Sequence, residues 1–165
     1  MYTILVSTQN ENMKLAKVLQ DLLQKEGKEN QLIDLVDLNL PLHNSAVQEK
    51  DGIPKKVQNL YETMDKSHSF ILVTAEYNFG VPAVLKNAID WITVVNKDFR
   101  KVFTQKNVLL STHSGGGGQD VLDIMRAQFT KLGAMVYADE IHTTYQKAFE
   151  LESSKKVLLS FSSTK

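Results

Sequence analysis

The stretch FILVTAEYNFGVPAVLKNAIDW, Phe70–Trp91, decides how the chain is read. Its first six residues form a short apolar, β-branched run of the kind buried in a parallel sheet. From Pro82 onward Val84, Leu85, Ala88, Ile89 and Ile92 recur on one side of a helix. Between them stands a turn that carries Glu76, Tyr77, Asn78 and Phe79 together. Packing a core does not require that combination, so the turn is read as a place that holds something. Pro82 suits the first turn of a helix, where its missing N–H is no loss. Gly80 is expected to supply a backbone conformation that other residues resist.

The same strand-then-helix unit repeats on both sides of this stretch. YTILVS (Tyr2–Ser7) reads as a strand, and Leu15, Val18, Leu19, Leu22 and Leu23 give the helix after it, which Gly27 ends. LIDLV (Leu32–Val36) is the second strand, and DLNLPLHNSAVQEKDG is a long polar connection. Ile53, Val57, Leu60, Tyr61 and Met64 then mark a helix. NVLLST (Asn107–Thr112) is the fourth strand, followed by a helix with Val121, Leu122, Met125, Phe129 and Leu132 on one face. AMVYA (Ala134–Ala138) is a fifth strand, and Val157, Leu158 and Phe161 suggest a last helix.

Strict alternation means βαβ units on a parallel sheet. The expected fold is α/β: a doubly wound five-stranded parallel sheet, order 2-1-3-4-5, with helices on both faces. Ligands of such sheets sit beyond the carboxyl ends of the strands, where the winding reverses. The loops after Ser7, Ala75 and Thr112 are therefore the ones that matter.

Composition narrows the chemistry. At 165 residues the chain is expected to form one domain. Lys plus Arg and Asp plus Glu are both 19, so no net field favours nucleic acid or an anionic membrane surface. With no cysteine, disulfides and thiolate metal sites are excluded, and redox chemistry has to come from a bound cofactor. No apolar run reaches the roughly 18 residues of a membrane span, and the N-terminus has no basic leader, so a cytoplasmic location is expected. The histidines at 43, 68, 113 and 142 lack metal-ligand spacing, so no metal is expected. No nucleophile elbow or Ser-His-Asp order appears.

In the first loop, STQNENMK (Ser7–Lys14), hydroxyls and amides precede a helix N-terminus, which is a ready phosphate site. Ser7, Thr8, Asn10 and Asn12 are either ligands there or, for the two asparagines, helix caps. Glu11 is expected to face solvent. The third loop, THSGGGGQD (Thr112–Asp120), carries Gly115 to Gly118 in a row, a backbone against which a flat ring can lie. His113 is read as a supporting or solvated residue.

AEYNFGVPAVLKNAIDW resembles the PEYN-type motif of the NADPH-dependent FMN reductase family, a flavodoxin-like group that includes azoreductases, chromate reductases and quinone reductases. NMKLAKVL, LIDLVDLNLPLHN and STHSGGGGQDVLDIMRAQFTKLGA resemble the family's corresponding segments in the same order, from about Ile4 to about Gly133. The resemblance implies an FMN-binding domain over residues 1–165. Its phosphate would lie in the loop Ser7 to Asn12, with Ser7, Gln9, Asn10, Asn12 and the following Met13 among the cofactor-binding residues, and its ring against Glu76, Tyr77, Asn78 and Phe79. The pyrimidine edge would lie near Ser114, Gly115 and Gly116. It implies hydride transfer from NADPH or NADH through FMN to a quinone, azo, metal-oxyanion or free flavin acceptor, with no catalytic side chain assigned.

The resemblance also implies association as a homodimer or homotetramer, with Trp91, Ile92 and Phe99 as contact residues. The first loop is shorter than the family's and lacks its arginine, and Ala75 replaces the usual proline. Glu76 is read as an acceptor for backbone N–H groups. Lys97, Arg100 and Lys101 either meet a 2′-phosphate or form a solvated basic helix end. Two other readings share the fold: a flavodoxin-type electron carrier, whose usual acidic surface is missing here, and a flavin-free interaction protein.

Overall fold

A computed structural model of the chain describes residues 1–163. Five strands lie in the order β2-β1-β3-β4-β5, all paired in parallel: β1 (Tyr2–Val6), β2 (Asn30–Asp34), β3 (Ser69–Thr74), β4 (Asn107–Ser114) and β5 (Met135–Val136). This is the doubly wound order expected from the alternation. Register brings Val6 beside Val73, and Thr74 beside Thr112, so the carboxyl ends of β1, β3 and β4 finish at one edge.

Strand side chains alternate between two apolar layers, as the period of two requires. Leu5, Phe70, Leu72, Val108 and Leu110 face one cluster, packed with α4 (Lys55–Lys66), α5 (Ala83–Thr93) and α6 (Gln119–Lys131). Ile4, Val6, Ile71, Val73 and Leu109 face the other, packed with α1 (Glu11–Lys25) and α7 (Leu151–Ser162). Both faces of the central strands are therefore apolar, which is why β3 reads as an uninterrupted hydrophobic run.

The structure departs from the expected elements in four places. The connection read as polar contains two short helices, α2 (Leu35–Leu38) and α3 (Ser45–Asp51). Asp34 starts the first, its carboxylate accepting from the Val36 and Asp37 N–H groups, so β2 stops at Asp34 and not at Val36. Asn44 caps the second through Val47 N–H. Ile53 falls outside α4, ahead of the Pro54 cap.

The fifth strand is split. After two residues of β5 the chain breaks away and returns as β6 (Ile141–Thr144), which pairs with Ser111–Ser114 at the upper end of β4. Arg126 on α6 holds the break, donating to the Tyr137 carbonyl at 2.9 Å and the Ala138 carbonyl at 3.2 Å and pairing with Glu140 at 2.5 Å. Residues Ile141–Thr144, beyond Asp139, are thus part of the sheet.

Trp91 and Ile92 are buried, at 0% and 2% exposure. The Trp91 indole N–H donates to the Pro41 carbonyl at 2.6 Å, and His43 meets the indole edge to face. These two residues are core, and only Phe99 of the expected contact set lies at the surface. Lys97, Arg100 and Lys101 sit in irregular turns beyond α5, with Lys101 paired to Asp65 and Arg100 over the Phe99 ring.

Because Ile141 is a buried member of the α1 and α7 layer, Ile141→Ala should lower stability by about 2–4 kcal/mol in urea unfolding. A change under about 0.5 kcal/mol would mean that β6 is not packed in solution.

Candidate functional site

At the carboxyl edge a chain of buried hydroxyls joins the three loops. Ser7 Oγ–H donates to Thr74 Oγ1 at 2.5 Å, and Thr8 Oγ1 accepts from Ala75 N–H at 3.1 Å. Thr112 Oγ1–H donates to the Thr74 carbonyl at 2.6 Å. That uses its one proton, so the 3.1 Å contact with Ser114 has the Ser114 hydroxyl as donor. Ser114 Oγ in turn accepts from Glu76 N–H at 3.1 Å.

Glu76 continues the tie. Its Oε2 accepts from Gly118 N–H at 3.1 Å and Val121 N–H at 3.3 Å, at the start of α6, the backbone-acceptor role read from the sequence. Asn12 makes a second tie. It does not cap α1: its amide donates to the His113 carbonyl at 2.9 Å and accepts from His113 N–H at 2.8 Å. Asn10 occupies the cap position with φ 56° and makes no side-chain capping bond. Met13 packs against the α1 and α7 layer.

Side chains of Ser7, Asn12 and Ser114 are therefore committed to loop shape. What remains open is Gln9 and Asn10, both exposed, and the backbone of the loops. A cleft of about 340 Å³ lies where they meet, lined by Ser7 to Asn10, Val36, Tyr77 and Pro82 to Val84. The N-termini of α1 and α5 both open on it, and neither carries a side-chain cap. Among the described residues no charged side chain lines it.

The turn at Tyr77–Gly80 is the second feature. Tyr77 and Gly80 exchange both backbone hydrogen bonds at 3.0 Å, and Asn78 (φ 50°) and Phe79 (φ 61°) are left-handed, as a type I′ turn demands. The left-handed positions thus fall on Asn78 and Phe79. Gly80 itself does not have positive φ, and a Cβ there would meet only ordinary contacts at 3.8 and 4.0 Å, which corrects the role read for it. Phe79 is 77% exposed and Tyr77 56%. A bulky residue held left-handed with its ring in solvent is strain of the kind kept at functional sites.

The glycine run divides in two. Gly118 is buried with φ 103°, and a Cβ would lie 2.8 Å from His142 Nε2 and 3.1 Å from Ser114. Only glycine fits there. Gly115 and Gly116 are exposed, and a Cβ at Gly116 would meet nothing within 4 Å. The His142 Nε2–H donates to the Gly117 carbonyl at 2.8 Å. The sequence reading missed this support because it left β6 out of the sheet. Glu11, expected in solvent, is half-exposed and pairs with Lys14, whose hydrogen bond and charge lower its carboxyl pKa. Among the described residues no group of three or more His, Cys, Asp or Glu is placed to hold a metal, and no helix is long and apolar enough to cross a membrane.

Sheet order and edge together define a flavodoxin-like fold with a cleft at the carboxyl ends of its first and third strands. A family model described as NADPH-dependent FMN reductase matches residues 5–147. The chain belongs to that family. It is 31% identical to a quinone reductase of Escherichia coli over 128 residues, covering 78% of this chain and 63% of the relative, so it spans less than two-thirds of that protein's length. An uncharacterized protein of Mycoplasma pneumoniae, the MG342 homolog, is 30% identical over 145 residues, covering 86% and 84%. Among solved structures, FerB, a flavoenzyme NAD(P)H:(acceptor) oxidoreductase of Paracoccus denitrificans, superposes with a TM-score of 0.77 at 20% identity. It covers 98% of this chain and 92% of its own. At that identity the likeness is one of fold.

Two substitutions separate strain from tie. Phe79→Gly relieves a left-handed residue that packs on little, so stability should rise by about 0.5–1 kcal/mol. Asn12→Ala strands both main-chain groups of His113 and should cost about 1–3 kcal/mol. Urea unfolding of both variants checks the signs; a destabilised Phe79→Gly would show that the turn is not strained.

Proposed function

We propose that this chain is an FMN-dependent oxidoreductase that moves a hydride from NADPH or NADH, by way of bound FMN, to a small acceptor: a quinone, an azo compound, a metal oxyanion or free flavin. The observation that carries the reading is the strained Tyr77–Gly80 turn, held at the sheet edge between a cleft of about 340 Å³ with two helix N-termini opening on it and an open glycine backbone. The residues present fit the cofactor. When bound, FMN supplies the two-electron chemistry that no side chain of this cysteine-free protein offers.

The protein's part is position and electrostatics. Free N–H groups and positive dipole ends at two helix N-termini would hold the phosphate, with Gln9 and Asn10 adding side-chain donors. Ser7, Asn12 and Met13 keep that loop in shape. Glu76, Tyr77, Asn78 and Phe79 would flank the ring, and backbone donors of Ser114, Gly115 and Gly116 would face its pyrimidine edge, where negative charge develops on reduction. Tyr77 and Phe79 present an apolar face to the incoming substrate. No proton-transferring side chain is assigned.

The reading extends to a single FMN-binding domain over residues 1–165, to action in the cytoplasm, and to a homodimer or homotetramer. The exposed rings of Tyr77 and Phe79 are available for such a contact. One observation favours a second reading: among the described residues no cation lines the cleft, as a flavin-free interaction protein of this fold would allow.

The purified protein should show an oxidised FMN spectrum that bleaches with anaerobic NADPH and returns on adding a quinone. A colourless protein that fails to take up added FMN would overturn the proposal in favour of the second reading.

A further inference from the structure

A second cleft, of about 330 Å³, opens between α1 and the segment after β6 and shares no lining residue with the first. Its walls are mainly apolar, with Leu15 and Val18 from α1 and Phe149 from beyond β6. Glu11 and Lys14 at its rim are paired at 2.6 Å and substantially exposed, so neither is a free charge within it.

His113 lines this cleft in a defined protonation pattern. Thr143 Oγ1–H donates to the Thr112 carbonyl at 3.1 Å, which uses the hydroxyl's one proton. The 3.0 Å contact between Thr143 Oγ1 and His113 Nδ1 therefore has Nδ1–H as donor. In the neutral ring this leaves Nε2 with a lone pair. Nε2 is closed to solvent and has no partner among the described residues. A buried acceptor without a donor is uncommon and marks a place for one.

The Tyr145 ring stands edge-on to His113 at 5.0 Å, while that residue is 74% exposed. Little buried area holds it there, so it can swing outward at small cost. We propose that this cleft binds small phenols: the ring packs against Leu15, Val18 and Phe149, and the hydroxyl donates to His113 Nε2 as Tyr145 moves aside. An anion gains nothing from an acceptor nitrogen, and an aromatic ether offers it no donor. Hydroquinones belong to the phenol class, and they are what a quinone acceptor becomes when reduced. That last connection rests on the oxidoreductase reading; the binding does not. The Asn12 amide, bonded to both main-chain groups of His113, joins this cleft to the first loop.

Titrating the full chain with phenol and with anisole, while following backbone amides and histidine ring nitrogens by NMR, tests the proposal. His113 should report the Nδ1–H tautomer. Phenol should bind about five- to tenfold more tightly than anisole and shift His113, Thr143 and Phe149, and His113→Phe should erase the preference. Equal affinities, or shifts confined to Tyr77–Gly80, would overturn it. The comparison in the unmodified protein decides the matter even if His113→Phe fails to fold. Flavin content and uptake of added FMN, read from the visible spectrum of the same samples, keep the two proposals apart: a flavin-free protein that takes up no added FMN and still prefers phenol removes the FMN reading and leaves this one.

Discussion

The hydroxyl chain at the carboxyl edge is the constraint on which the site depends. Ser7, Thr74, Thr112 and Ser114 are all buried, and buried hydroxyls without partners are costly. Each finds its partner in a neighbouring loop or strand end, so satisfying them fixes where the chain leaves β1, β3 and β4. Glu76 and Asn12 extend the same logic outward, a carboxylate and an amide each spending their capacity on main-chain groups of the third loop. A network satisfied at every member is rigid. The consequence is that a ligand at this edge would meet backbone N–H groups and dipoles, with few side chains left over.

That division explains what the sequence made legible. Apolar runs with a period of two or of 3.6 are dictated by burial, so the β1, β3 and β4 runs and the α1, α4, α5 and α6 stripes read directly. The strand Ile141–Thr144 has one apolar residue and then His142, Thr143 and Thr144; its pairing is set by Arg126 and by the length of β4, neither of which leaves a local pattern. Asp34 and Asn44 were visible as residue types that cap, but the stretch around them was too short and polar to show a helix period.

Site residues were legible as positions more than as roles. The three loops follow from topology alone, since the strands must end at one edge. Asn12 could have been a ligand or a cap on sequence grounds, and its actual partner lies 101 residues away. Gly80 looked like the turn's special residue because glycine tolerates positive φ, yet the turn put that conformation on Asn78 and Phe79. Asparagine is a frequent occupant of the first such position; phenylalanine at the second is not.

The cleft's electrostatics follow from the same arrangement. Each helix N-terminus contributes roughly half a positive charge, so the uncapped ends of α1 and α5 together approach one charge with no cation among the described lining residues. Capping either end with a side chain would have satisfied its N–H groups internally and removed them from the cleft. Asn10 has the side chain for that task and a left-handed backbone that leaves it undone. The arrangement therefore keeps free donors facing the cleft at some expense in helix stability, just as the turn keeps Phe79 in solvent against its backbone preference. Both features lie at the same edge of the sheet, on loops that the hydroxyl chain holds in place, where an anionic group would take up the free donors of the one and a planar ring would cover the exposed Phe79 side chain of the other.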